Sequence, residues 1–77
     1  MVKAVFYTLG NNFGIAKTEM FDTQNEAANA IRDYALAQKF TRIQEVDDED
    51  YNIRITATTP NGRAGRNVGT IELGWDE

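Results

Sequence analysis

The chain of 77 residues contains no cysteine, no histidine and no serine. Without cysteine, neither a disulfide nor a thiolate metal site can stabilise a domain of this size. Without histidine and serine, Ser-His-Asp and Cys-His catalysis and the usual zinc sites are excluded. The remaining chemistry is that of carboxylates, lysine, threonine and tyrosine, and no carboxylate pair is marked as sharing a pocket. We therefore expect a protein that is not an enzyme and has no catalytic residue, cofactor or metal.

Long hydrophobic runs are missing as well. No uninterrupted apolar segment approaches the roughly 18 residues that a membrane helix needs. The N-terminal residues, MVKAVFYTLG, lack the cleavage pattern of a signal peptide. There is no long linker and no internal repeat. The sequence therefore predicts a single α+β domain over residues 1–77, located in the cytoplasm and without membrane contact.

Acidic residues outnumber basic residues, and their distribution is uneven. The chain has 12 acids and 8 bases, which give a formal net charge of −4. Five of the acids lie in residues 45–50, EVDDED, and the rest of the chain carries a net charge of +1. The acidity of this protein is therefore local.

Two segments near the N terminus predict a β-hairpin. Val2 to Leu9 is rich in β-branched and aromatic residues, and Gly10-Asn11-Asn12 follows as a cluster that accepts positive φ. Residues 13–21 show a weaker alternation of apolar and polar positions. We expect them to return as the second strand.

A helix is predicted from Thr23 onwards. Thr23-Gln24-Asn25-Glu26 matches the capping box, in which the threonine side chain and the N3 glutamate bond to each other's backbone amides. The helix is expected to end near Lys39, whose charge suits a helix C-terminus. Its apolar face recurs at helical spacing and consists of Ala27, Ile31, Tyr34 and Ala35, with Ala28 and Leu36 beside them.

Three further strands are predicted over residues 41–46, 51–59 and 68–75. The middle one alternates most clearly, with Tyr51, Ile53, Ile55 and Ala57 directed inward. In the last strand we expect Val68, Thr70 and Glu72 on one face and Ile71, Leu73 and Trp75 near the other.

The predicted order of elements is β-β-α-β-β-β. An amphipathic helix must bury its apolar face, and one face of an antiparallel sheet is the surface available to it. The sequence therefore predicts an α+β fold, a two-layer sandwich of one helix packed on an antiparallel sheet of four to five strands.

Residues 61–69, NGRAGRNVG, raise the question of a phosphate-binding loop. They lack the lysine and hydroxyl of a Walker A motif, their glycine spacing differs from the dinucleotide fingerprint, and a strand follows instead of a helix. The structural interpretation is a hairpin connection in which Asn61-Gly62 and Gly65 supply positive φ.

The functional interpretation of this loop concerns its two arginines. Arg63 and Arg66 lie three positions apart and could form forked hydrogen bonds to a phosphate or carboxylate of a partner. A phosphate backbone demands several neutralising side chains, so nucleic-acid binding is not the expected function. Lys39, Arg42 and Arg54 would join the two arginines only if the fold brings them together.

The acidic segment admits three interpretations. A calcium loop is disfavoured because Ile53 and Thr59 occupy the places where an EF-hand needs glycine and glutamate, counting from Asp48. A solvated hairpin tip would keep the sheet edge soluble. Alternatively, a compact negative cluster could complement a basic protein surface, including one that normally receives DNA or RNA.

The leading hypothesis is a small acidic protein that binds a protein partner with a basic surface, as an inhibitor or modulator of the kind found in viruses and mobile elements. Two alternatives stay open: a structural subunit that forms homodimers through a sheet edge, and a weak RNA-binding domain that uses the Gly/Arg loop. The candidate partner-binding residues are Glu45, Asp47, Asp48, Glu49, Asp50, Arg63, Arg66 and Trp75. Trp75 is included because a tryptophan near a chain end can anchor an interface.

Overall fold

The computed structural model describes residues 1–10, 14–47 and 52–74. Its five strands form one antiparallel sheet with the order β2-β1-β5-β4-β3, and the helix packs on one face. The predicted α+β sandwich and the predicted order of elements are confirmed. In chain order the elements are β1 (Val2–Tyr7), β2 (Ile15–Phe21), α1 (Gln24–Ala37), β3 (Thr41–Asp47), β4 (Asn52–Thr58) and β5 (Arg66–Glu72).

The helix begins where the capping box predicts. The Thr23 hydroxyl oxygen accepts from the Glu26 backbone N–H at 3.2 Å, and the Glu26 carboxylate accepts from the Thr23 N–H at 3.3 Å. These two bonds satisfy backbone donors that a helix N-terminus otherwise leaves unpaired.

The helix ends two residues before the predicted position. Its last residue is Ala37, and Lys39 follows in the left-handed region with φ 70°. The Lys39 N–H donates to the Leu36 carbonyl at 3.0 Å, and the Phe40 N–H donates to the Ala35 carbonyl at 3.1 Å. This pair of bonds is a Schellman motif, in which Lys39 occupies the position where glycine is usual.

A thin apolar core lies between the helix and the sheet. Ile53, Ile55 and Ala57 of β4 all face it, as their alternation predicts. Val68 also belongs to it, so its predicted placement with Thr70 on the other face is wrong. The pairing register shifts between Ile55 and Thr56, and this irregularity turns Val68 toward the helix. Among the described residues, the buried members of this cluster are Val2, Ala4, Phe6, Ala27, Ala28, Ile31, Ala35, Phe40, Ile53, Ile55, Ala57, Val68 and Ile71.

The helix packs closely over Gly69 of β5. A Cβ atom at this position would lie 2.6 Å from Cγ2 and 3.0 Å from Cδ1 of Ile31, and 2.9 Å from the backbone oxygen of Val5. Contacts under 3.0 Å are closer than packed atoms tolerate. Ile31 therefore occupies the space that any side chain at Gly69 would need.

Tyr34 attaches the helix to β1 near the end of that strand. Its hydroxyl donates to the Tyr7 backbone oxygen at 2.6 Å. Its ring meets Phe6 edge to face, with centroids 5.2 Å apart and planes at 88°. A directional hydrogen bond and an aromatic contact together define how far along the sheet the helix lies.

We predict that Gly69→Ala lowers the free energy of unfolding by about 1–3 kcal/mol, because the new methyl group collides with Ile31 and with backbone. Urea denaturation measures the change. Gly14→Ala is the matched control, since a Cβ there meets nothing within 4 Å. If the two variants were equally stable, the close approach of Ile31 would be wrong.

We predict that Lys39→Gly stabilises the protein by about 0.5–1 kcal/mol, because glycine adopts positive φ without the steric cost that lysine carries. The same denaturation experiment measures the change. A loss of stability on this substitution would contradict the left-handed conformation at Lys39.

Candidate functional site

The topology collects four basic side chains at one end of the sandwich. The β1–β2 connection, the β4–β5 connection and the C-terminal end of α1 all lie there, as the antiparallel pairings Tyr7 with Ile15, Ala57 with Arg66 and Thr41 with Thr58 require. None of residues 8–14, 38–43 and 59–66 is acidic. We call this the basic end and define it by Lys39, Arg42, Arg63 and Arg66.

The β4–β5 connection is a compact hydrogen-bonded turn. The Gly62 N–H donates to the Thr59 carbonyl at 2.9 Å, and the Thr59 N–H donates to the Arg63 carbonyl at 2.8 Å. The Arg63 N–H also donates to the Thr59 hydroxyl oxygen at 2.9 Å. Gly62 and Gly65 adopt φ of 92° and 79°, which confirms the turn predicted at these glycines. The backbone at Arg63 is thus held in place while its side chain is exposed.

Arg66 joins the two loops of the basic end. Its Nη2 atom donates to the carbonyl oxygens of Thr8 at 2.9 Å and Gly10 at 3.2 Å. Arg66 is the first residue of β5, so the connection between β4 and β5 is shorter than the nine-residue segment that the sequence marks. Both of these acceptors are backbone carbonyl oxygens.

A surface cleft of about 540 Å³ opens between these loops. Arg63 and Arg66 both line it, which places the two arginines of the Gly/Arg loop at one concavity. We call it the basic cleft. Its other lining residues are Leu9, Gly10, Phe40, Thr59, Pro60 and Asn61.

The opposite end of the sandwich carries carboxylates from several elements. Asp22 and Glu26 lie where α1 begins, Asp47 ends β3 and Glu72 ends β5. We call these four residues the acidic end. Lys3 and the chain's amino terminus lie at the same end, so the negative charge there is partly offset.

Glu45 and Asp47 lie on the helix side of the edge strand β3. They pair with the core residues Ile55 and Ile53, which fixes the face they occupy. The Glu45 carboxylate lies 3.7 Å from the Arg32 guanidinium, and both side chains are more than a third exposed. Three further candidates, Asp48, Glu49 and Asp50, lie outside the described residues, as does Trp75.

Both edge strands carry charged side chains on the helix side of the sheet, where that face is exposed to solvent. On β2, Lys17 and Glu19 form an ion pair of 3.0 Å on the helix side. On β3 the corresponding positions are Glu45 and Asp47. Charged side chains on the inward face of an edge strand are a known means of preventing sheets from joining edge to edge. This arrangement supports the interpretation of these acids as solubilising.

The two ends are electrostatically separate. A strand of seven residues such as β4 spans roughly 20 Å, and the Debye length at physiological salt is about 8 Å. Charges at one end are therefore screened from those at the other. The helix runs from the acidic end to the basic end. Acids lie near its N-terminus and Lys39 follows its C-terminus, which is the arrangement that the helix dipole favours.

The sequence alone does not show which basic residues lie together at the basic end. Lys39 and Arg42 join Arg63 and Arg66 because α1 ends and β3 begins at that end. Arg54 does not join them, since it pairs with Thr70 and Val46 on the face away from the helix. In the sequence, Gly69 is one of the three glycines of residues 61–69, and no neighbouring residue marks it as a packing position. Its role depends on the distant residue Ile31.

Within residues 1–10, 14–47 and 52–74, no three carboxylates gather in a way that could hold a metal ion. The helix in those ranges is too short and too polar to cross a membrane. Comparison of the chain with protein-family models, curated proteins and solved structures gives no match.

We predict that Arg66→Gln lowers the free energy of unfolding by about 1 kcal/mol, because the carbonyls of Thr8 and Gly10 lose a charge-assisted donor. Arg54→Gln removes the same charge from an exposed strand position and serves as the control. Hydrogen exchange at the Thr8 amide, which bonds to Gly14 across the loop, should accelerate only in the Arg66 variant. Equal effects of both substitutions would contradict the bridging role of Arg66.

Proposed function

We propose that the protein is a small non-enzymatic binding protein whose acidic end, continued by Asp48, Glu49 and Asp50, occupies a basic surface of a protein partner. The observation that carries this proposal is the segregation of charge: acids from α1, β3, β5 and the β2–α1 connection lie at one end, and Lys39, Arg42, Arg63 and Arg66 lie at the other. A surface that normally receives DNA or RNA is the expected target class, because carboxylates in a row can replace phosphates. An inhibitory role and a cytoplasmic location belong to the same proposal.

The carboxylates of β3 are available to a partner at low cost. Glu45 is held only by an exposed ion pair of 3.7 Å with Arg32, and exposed pairs of this kind contribute about 0–1 kcal/mol. The Asp47 carboxylate makes no hydrogen bond or ion pair with any other described residue. A guanidinium or ammonium group on a partner could therefore bind these carboxylates without breaking any strong interaction within the protein.

Screening also supports the use of the acidic end for recognition. Since the basic end lies beyond a Debye length, its positive charge does not weaken the attraction between the acidic end and a basic partner at physiological salt.

Self-association through a sheet edge is a weaker proposal. Both edges, β2 and β3, carry inward-facing charges that oppose the addition of another strand. A homodimer that uses Trp75 stays a prediction, because that residue is outside the described part of the chain.

We predict that Asp47→Asn/Asp50→Asn weakens binding to the partner about tenfold and flattens its dependence on salt, because two contacting charges are lost. The partner is first captured with the tagged chain from lysate of its natural host. Its affinity is then measured in purified form across a salt series. Duplex DNA or RNA added to the purified complex should displace the partner.

The control for this experiment compares Asp47→Asn alone with Asp33→Asn, which makes the same change of net charge in the middle of α1. We expect Asp33→Asn to bind like the parent. Equal loss in both variants would show that only the overall charge matters. Unchanged binding by Asp47→Asn/Asp50→Asn, or a partner that nucleic acid does not displace, would also contradict the proposal.

A further inference from the structure

The helix covers one face of the sheet, and no helix or strand of the described ranges lies on the other. In β1 the residues at odd positions point to this second face, because the even positions Val2, Ala4 and Phe6 belong to the core. The strand pairings extend the face across all five strands. We call it the uncovered face and define it by Val5, Tyr7, Ile15, Met20, Val46 and Thr70.

The uncovered face carries exposed apolar side chains at both of its edges. Ile15 and Met20 of β2 and Val46 of β3 are 62%, 46% and 41% exposed. Charge is sparse there, since only Lys3, Glu72 and Arg54 occupy paired positions of this face in the described strands. Lys3 and Glu72 stand opposite each other on neighbouring strands, so their charges offset each other. A broad face with exposed apolar groups and few charges is typical of an interface between protein chains.

A surface cleft of about 390 Å³ lies where this face reaches the basic end. Tyr7 and Ile15 line it from two neighbouring strands. The Tyr7 hydroxyl is already hydrogen-bonded to Oγ1 of Thr70 at 2.9 Å, so the tyrosine contributes the surface of its ring. Methionine suits such a gap, because its unbranched side chain adapts to irregular apolar surfaces and its sulfur makes favourable contacts with aromatic rings.

The charges at the two ends of the molecule indicate what covers the face. A protein of one charge sign that spanned the face would be attracted at one end and repelled at the other. A second copy avoids this conflict when a two-fold axis runs across the strands, because the axis reverses the strand direction. Asp47 and Glu72 of one copy then lie at the same end as Arg42 and Arg63 of the other.

The same axis places each strand over its own counterpart. Ile15 lies at the basic end of β2, and Met20 lies near the acidic end of that strand. Met20 of one copy is therefore opposite Ile15 and its cleft in the other copy, and the reverse contact follows from the symmetry.

We propose that the protein forms a symmetric dimer in which the uncovered faces of two copies pack together with their strands antiparallel and Met20 enters the cleft beside Ile15. Five strands about 4.8 Å apart and roughly 20 Å long bury about 500 Å² per copy, which is near the lower limit of a specific interface. The dimer is therefore weak, with a dissociation constant on the order of 100 μM. The contact uses neither edge of the sheet. A monomeric protein would overturn it and leave the proposed function standing.

The first test is sedimentation equilibrium of the full chain, over concentrations that extend about tenfold above the expected dissociation constant. We expect the mass to rise from 8.7 kDa toward twice that value. Ile15→Lys and Met20→Lys should each weaken the dimer at least about tenfold, because each places a charge in an apolar contact. A parent protein that stays monomeric throughout, or a dimer that both substitutions leave unchanged, would overturn the proposal.

Leu36→Lys is the matched control for these two variants. Leu36 is an apolar residue of α1 that is 49% exposed, and it lies on the other side of the sheet from the uncovered face. The substitution makes the same change of charge and should alter the affinity by less than about twofold. If it weakened the dimer as much as Ile15→Lys, association would follow net charge or another surface, and the proposed interface would be wrong.

A second test determines the orientation of the two copies. Because the chain contains no cysteine, Asp22→Cys provides a single site for a nitroxide at the acidic end. Labelled chain is mixed with unlabelled ¹⁵N chain, so that any broadening of amide signals is intermolecular. We expect the strongest broadening at Thr8 and Ile15, near the basic end of the second copy. Strongest broadening at Lys3 and Phe21 would contradict the antiparallel arrangement, and broadening confined to α1 would contradict the face.

Discussion

The packing of Ile31 against Gly69 is the contact on which the arrangement of the whole molecule depends. The helix presents alanines beside Ile31, and the strand beneath has no side chain at Gly69, so the two layers approach closely. Tyr34 then sets the position of the helix along the sheet through its bond to β1. With 14 residues at about 1.5 Å each, the helix spans the same distance as a seven-residue strand. Its two ends therefore coincide with the two ends of the sheet.

This coincidence decides where the charges lie. The chain leaves the helix beside the loop that carries Arg63, which brings Lys39 and Arg42 there, and it enters the helix at the end where β3 and β5 finish. A sequence with acids in one dense segment and bases spread along its length thus becomes a molecule with two oppositely charged ends. Since the ends are separated by more than a Debye length, each presents its own electrostatic potential to solvent.

The features that sequence analysis predicted are those determined by neighbouring residues. The capping box at Thr23 and the alternation of Ile53 and Ile55 are local patterns, and both are confirmed. The features that were missed depend on contacts distant in sequence. Val68 faces the core because of a register shift against β4, and Gly69 is required because of Ile31. Likewise, the sequence identifies Arg63 and Arg66 as candidates. It does not show that they lie at the same end as Lys39 and Arg42, because this depends on strand order, which no short segment encodes.

The segregation of charge is the central claim, and the surface potential of the protein in solution tests it most directly. Paramagnetic relaxation of amide protons by a cationic and by an anionic soluble probe reports the local potential at each residue. We predict stronger relaxation by the cationic probe at the amides of Asp22, Glu26 and Asp47, and stronger relaxation by the anionic probe at those of Arg42 and Arg63. Equal relaxation by the two probes at both ends would contradict the account.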